Sequence, residues 1–145
     1  MPDPDNPKIK TQLPFVLENG KFSKDTIIIA HSAGCPLTLS VLENLDVKIK
    51  KIVLVAGFAT PLNGEKSDPI IQENYNWKKI RQNVEDIILI NSDNDPWGCD
   101  DKQGLYMFKN LGGKLIILHG EGHMGSDKFK QPYKEFPLLE KILEL

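Results

Sequence analysis

The chain has 145 residues, 40% of them apolar, and a formal net charge of −2. That length is one domain's worth, and the apolar share supports a packed core, which excludes a globally disordered chain. Lysines and acids are interspersed, so no basic stripe points to nucleic acid, and no apolar run approaches the roughly 18–20 residues needed to span a bilayer.

The opening segment, residues 1–7, has neither the basic start nor the apolar centre of a secretion signal, and a cytoplasmic location is expected. Residues 26–30 form a β-branched apolar run that reads as a strand. It stops on His31-Ser32-Ala33-Gly34, after which Leu37, Val41, Leu42 and Leu45 recur at helical spacing and predict a helix over 36–45. A strand that reverses into a helix within a few residues strains its apex residue and needs small neighbours, here Ala30, Ala33 and Gly34. The apex side chain then stands at a helix N-terminus, where free N–H groups favour developing negative charge. Ser32 is therefore the candidate nucleophile of a nucleophile elbow in which Ala30 stands at the usual first glycine. A serine between small residues also occurs in plain tight turns; the flanking strand and helix are what favour the elbow. Cys35 is the competing nucleophile, but the turn puts Ser32 at the apex.

Further strands are predicted at 52–56, 87–90 and 114–118, and further helices at about 75–83, 102–111 and 135–145. The last carries Phe136, Leu138, Leu139, Ile142 and Leu145 on a broad apolar face. Gly112-Gly113 offers a C-terminal cap for the helix before it. Each strand is near-continuously apolar, as in a sheet buried on both faces. The alternation predicts one α/β domain over 1–145, a three-layer sandwich around a mostly parallel sheet. Residues 57–74, with Pro61, Gly64 and Pro69, leave the second strand as a long loop, read either as a substrate-covering flap or as a surface excursion. Trp77 is expected in the core. Cys35 and Cys99 form neither a metal spacing nor a disulfide framework and are expected as free thiols.

A serine hydroxyl needs a base, and the base needs an orienting acid. Both occur past strand ends, so a parallel sheet brings them to the edge where Ser32 stands. After the third strand comes Asn91-Ser92-Asp93-Asn94-Asp95-Pro96-Trp97; after the fourth comes His119-Gly120-Glu121-Gly122-His123. Asp95 is preferred to Asp93 as the acid because it lies deeper in its loop and precedes Pro96. His123 is preferred to His119 as the base because its Gly-x-Gly loop can carry an imidazole over the serine. His31 is expected on the opposite side of the strand, in packing or hydrogen bonding. The acids Asp93, Asp95, Asp100 and Asp101 suggest calcium, but an EF-hand register requires Glu where Gly104 stands. They read as turn and helix-cap residues, and neither a metal nor a cofactor is expected.

Taken together, Ala-His-Ser-Ala-Gly, Ser-Asp-Asn-Asp-Pro-Trp and Gly-Glu-Gly-His resemble the small α/β-hydrolases of the retinoblastoma-binding protein 9 and YdeN type. Asn76-Trp77-Lys78-Lys79-Ile80 and Phe136-Pro137-Leu138-Leu139 fit the same family, and the resemblance covers nearly the whole chain. It implies an esterase-like serine hydrolase with Ser32 as nucleophile, Asp95 as acid and His123 as base. A retinoblastoma-binding role is not implied, because no Leu-x-Cys-x-Glu occurs. The resemblance also implies front elements that the chain lacks: a strand with a His-Gly type loop, a helix and a further strand. That loop supplies one oxyanion N–H in the family, the other being that of Ala33. On this reading the chain is a fragment, a start-site misassignment, or a shortened protein that completes its sheet through a partner chain.

The expected reaction is cleavage of a small ester, thioester or amide through an acyl-enzyme. The competing readings are acyl transfer to an alcohol or amine, and a weakly active or inactive scaffold that binds protein, including a second copy, through an exposed sheet edge.

Overall fold

Four apolar runs pair in chain order as one parallel sheet, β1-β2-β3-β4. The strands are β1 (Ile27–His31), β2 (Ile49–Val55), β3 (Val84–Ser92) and β4 (Lys114–Leu118). The computed structural model describes residues 1–131 and 133–143. Three helices connect the strands: α2 (Gly34–Asn44), α3 (Trp77–Gln82) and α4 (Asp101–Leu111). Because α2 packs on α3 and α3 on α4, the three share one face of the sheet. The last helix, α5 (Pro137–Leu143), takes the other, where Phe136 and Leu139 line a small cavity with Ile29, His31 and Val55. Leu145, expected on that helix's apolar face, lies outside the described residues.

The parallel register runs Ile29 to Val53 to Ile88 and Ala30 to Leu54 to Leu89, so successive residues alternate between the two helical layers. The core lies between the sheet and the α2–α4 layer: Leu39, Leu42, Ile52, Leu54, Ile80, Leu89 and Met107 have essentially no exposure. Burial on both faces holds for the inner strands β2 and β3 but not for β1 and β4. Ile27 and Ile29 of β1 stay 39% and 49% exposed, and Ile117 of β4 stays 42% exposed. These are edge strands: Ile29 is on the α5 side, whereas Ile117, opposite Asn91, is on the α2–α4 side, and at the sheet edges neither is fully covered.

One element was not foreseen. Residues Ile9–Asn19 form a helix, α1, despite an interior proline, Pro14. Proline removes one intrahelical bond, yet Ile9, Leu13, Val16 and Leu17 recur on one face and pack against the core. That periodicity was the available signal. Elsewhere the ends move by a few residues: α2 begins at Gly34, and α3 begins only at Trp77, with Asn76 as its cap accepting from the Lys79 amide. Gly112, at φ 70°, closes α4 as expected.

The long loop over 57–74 is tied down along its length. The Gln103 side chain bonds Thr60, Asn63 donates to the Trp97 carbonyl, and Ile70 is buried. With Trp77 and Tyr106 it encloses a cavity of about 560 Å³, so half-buried Trp77 is both a core contact and a cavity wall.

Candidate active site

Parallel strands deliver every β-to-α turn to one edge of the sheet, and the predicted residues meet there. Ser32 follows β1 directly, with φ 53°, a left-handed conformation that a non-glycine residue adopts only under constraint. The constraint is two-sided: its amide donates to the Val55 carbonyl at 3.0 Å, while its own carbonyl accepts from Cys35 at 2.9 Å as α2 begins. A Cβ on Gly34 would lie 3.6 Å from that of Ala30, so the arms of the turn meet at van der Waals distance. The amide of Ala33, at the start of α2, has no hydrogen-bond partner among the described residues.

The β4-to-α5 connection supplies the imidazole. Gly120, Gly122, Met124 and Gly125 all have positive φ, which folds the chain tightly enough to set His123 above the sheet. The Nε2 atom of His123 lies 3.0 Å from Ser32 Oγ, and Nδ1 lies 2.7 Å from Asp95 Oδ2. The other Asp95 oxygen accepts the Trp97 amide at 2.8 Å, an Asx-type turn that holds the carboxylate. Asp95 and His123 are 8% and 5% exposed, so their contact is shielded from water and electrostatically strong.

The rejected alternatives form their own pair. The Asp93 carboxylate bonds His119 Nδ1 at 2.5 Å and accepts the Gly120 amide at 2.9 Å, out in solvent. The Gly120 amide foremost, and then His119, hold Asp93 below the usual carboxylate range; Asp93 in turn raises His119. Cys35 is fully buried, its thiol directed at the Ala30 and Val55 carbonyls, and burial pushes its pKa far up. It has no route to a substrate. Asp100 caps α4 through the amides of Lys102 and Gln103, as expected of a turn acid.

Several supporting residues were not anticipated. Asn94 accepts the Gly122 amide at 2.7 Å, Ser92 accepts that of Glu121 at 3.0 Å, and Gln131 accepts that of His123 at 2.8 Å. The Asn91 amide bonds the Gly57 and Cys99 carbonyls, both at 3.0 Å, tying together the loops that leave β2 and β3. Gln131 arrives from a segment with no motif, so nothing in the sequence marked it. His31 hydrogen-bonds and packs as expected, but its partner is the base itself. It lies beside the site, its Nε2 2.8 Å from the His123 carbonyl and its ring 4.8 Å from the His123 ring.

Among the described residues, Asp95, Cys99 and His123 could together ligate a cation, with one ligand-type atom each within 4.8 Å of one another. His123 and Asp95 already share a hydrogen bond there, and burial raises the Cys99 thiol, so ligation would have to displace protons from both. Beside Ala33 and Gly34 opens an apolar groove of about 440 Å³, walled by Ile28, Leu37, Val41, Val16 and Phe22.

An all-parallel sheet of this form, with these loops at its carboxyl edge, defines an α/β-hydrolase. The chain belongs to the serine hydrolase family, whose model matches residues 7–144. Serine hydrolase RBBP9 of Rattus norvegicus is 27% identical over 133 residues, which are 90% of this chain and 70% of that protein. The Bacillus subtilis (strain 168) protein named "Putative hydrolase YdeN" is 31% identical over 99 residues, covering 66% of this chain and 52% of YdeN. The crystal structure of the B. subtilis ydeN gene product superimposes with a TM-score of 0.86 at 25% identity, covering 99% of this chain and 77% of that one. No helix among the described residues is long and apolar enough to cross a membrane.

Proposed function

We propose that this hydrolase cleaves a small ester, thioester or amide by a serine acyl-enzyme route. One observation carries the reading: a single buried imidazole lies within hydrogen-bond distance of Ser32 through one nitrogen and of Asp95 through the other. In the first step His123 Nε2 takes the Ser32 hydroxyl proton as Oγ attacks the substrate carbonyl. Asp95, accepting from Nδ1, keeps the imidazole in the tautomer that has a free Nε2 and stabilises the imidazolium. The Ala33 amide donates to the oxyanion; one such donor contributes roughly 100- to 1,000-fold in rate. His123 returns the proton to the leaving alcohol, thiol or amine, and the Ser32 acyl ester remains. Water, deprotonated by the same nitrogen, then releases the acid and restores Ser32. The apolar groove beside Ala33 suits an apolar substituent on the substrate, and no cofactor takes part.

Incubation with a fluorophosphonate followed by intact-mass measurement tests this. A single adduct is expected on the chain and none on Ser32→Ala. An adduct that persists in the variant, or none on the folded parent, rejects the assignment. Turnover with added alcohols or amines separates hydrolysis from acyl transfer.

The exposure of Ile27 and Ile29 favours a second reading, in which β1 pairs with a second copy of the chain. Light scattering after gel filtration tests it: a monomer at micromolar concentration removes it.

A further inference from the structure

His123 is held by its backbone as well as by its ring, and both backbone groups are bound by side chains from elsewhere. Its amide donates to Gln131 Oε1 at 2.8 Å, and its carbonyl accepts from His31 Nε2 at 2.8 Å. The loop needs such support because its run of positive-φ residues, Gly120, Gly122, Met124 and Gly125, has left regular backbone pairing. Of the two holds, only His31 reaches back to the nucleophile, being the residue covalently next to it. The links close a ring: Ser32, the His31 side chain, the His123 carbonyl, the His123 imidazole, and back to Ser32 Oγ at 3.0 Å. Since β1 pairs with β2 through His31 opposite Val55, this ring refers the base to the rigid sheet instead of to its own loop.

We infer that His31 is a positioning residue, whose Nε2–H fixes His123 relative to Ser32 and so sets the geometry of proton transfer. The inference rests on the proposed roles of Ser32 and His123. A carbonyl can only accept, so the proton of neutral His31 sits on Nε2 and Nδ1 is bare. The ring also meets the His123 ring edge-on, at 64° between planes, which limits tilting of the base. The titratable and charged groups facing His31 are His123 and Asp95 in the site, and Tyr133, Lys134 and Glu135 around the small cavity under α5. Partial burial, more than any of these, lowers its pKa, so it stays neutral while His123 becomes charged during the reaction.

The test compares His31→Phe, which keeps a ring but loses the donor, with His31→Gln, whose longer amide can reach the carbonyl, and His31→Asn, whose shorter amide cannot. With circular dichroism unchanged, His31→Phe and His31→Asn are expected to lower kcat for an aryl ester roughly 10- to 100-fold with KM little altered, as a misplaced catalytic group does. His31→Gln is expected to recover most of that loss. Activity within about twofold of the parent in His31→Phe, or equal activity in the Gln and Asn variants, overturns the inference. A second readout needs no turnover: the far-downfield NMR signal of the His123 Nδ1 proton shared with Asp95 should broaden or move in His31→Phe and return in His31→Gln. An unchanged signal in His31→Phe overturns the inference as well. A parent chain that turns over no ester counts against the hydrolase reading, while this signal still decides the role of His31.

Discussion

Asp95 Oδ2 stands 2.7 Å from His123 Nδ1, whereas Asp93, two residues earlier in the same loop, bonds His119 in solvent. The two acids have exchanged no partners and share none, so substitution separates them cleanly. Asp95→Asn presents an amide where the imidazole needs an acceptor and inverts the tautomer. Its kcat on an aryl ester is expected to fall by about 10,000-fold. Asp93→Asn should stay within about twofold, since the pair it breaks is exposed and weak. Comparable losses in both variants would refute the assignment of Asp95.

Gly122 has φ 57°, and a Cβ there would overlap the Gln131 side-chain amide. Gly122→Ala therefore strains the backbone and displaces the amide that holds the His123 N–H. A stability loss of about 1–3 kcal/mol is expected from the strain. A roughly 10-fold fall in kcat should accompany it as the base shifts. Thermal melting and ester turnover measure both, and Gln131→Ala should share the kinetic loss without the backbone strain.

Leu89, at the centre of β3, has no exposure. Leu89→Ala should cost about 2–5 kcal/mol in urea unfolding, through lost burial and an unfilled cavity. The rate of fluorophosphonate labelling should be unchanged under conditions where the variant remains folded, because Leu89 sits between Leu54 and Leu115 inside the sheet, short of its carboxyl edge.

Two histidines push the pH dependence of stability in opposite directions. Burial lowers His31 below 6.5, so between its folded value and 6.5 the unfolded chain holds the extra proton. That contribution is complete above 6.5 and disappears as the pH falls. Asp93 raises His119, whose contribution is complete below 6.5 and is lost as the pH climbs through its folded value. His119 is exposed, so the acid-side loss should dominate. Melting temperatures across about pH 5–8 should fall on the acid side, and less so in His31→Gln.

How much of this was legible beforehand follows from where each signal resides. Strands β2 and β3 read directly as apolar runs because both of their faces are buried. Strand β1 read the same way, yet Ile27 and Ile29 are exposed; a run of isoleucines carries no record of what will cover it. Helix α1 was not read from the sequence, although Ile9, Leu13, Val16 and Leu17 recur at helical spacing around the interior Pro14.

Pattern in the chain marked the candidate residues and the sheet edge at which they meet. A strand-turn-helix around Ser32, and an acid and a base past later strand ends, converge on any parallel sheet. The exchangeable pairs were weighted by pattern towards Asp95 and His123, and the folded chain shows them paired: Asp95 with His123 inside, Asp93 with His119 outside. Pattern separates two carboxylates one residue apart only weakly: loop depth and Pro96 favoured Asp95, and the structure seats that one on His123. Only the Trp97 amide bond to Asp95 and the positive-φ path through Gly120 and Gly122 turn one of each pair inward. The clasp of His31 on the His123 carbonyl was likewise invisible, because a hydrogen bond to a backbone atom leaves no residue type to read.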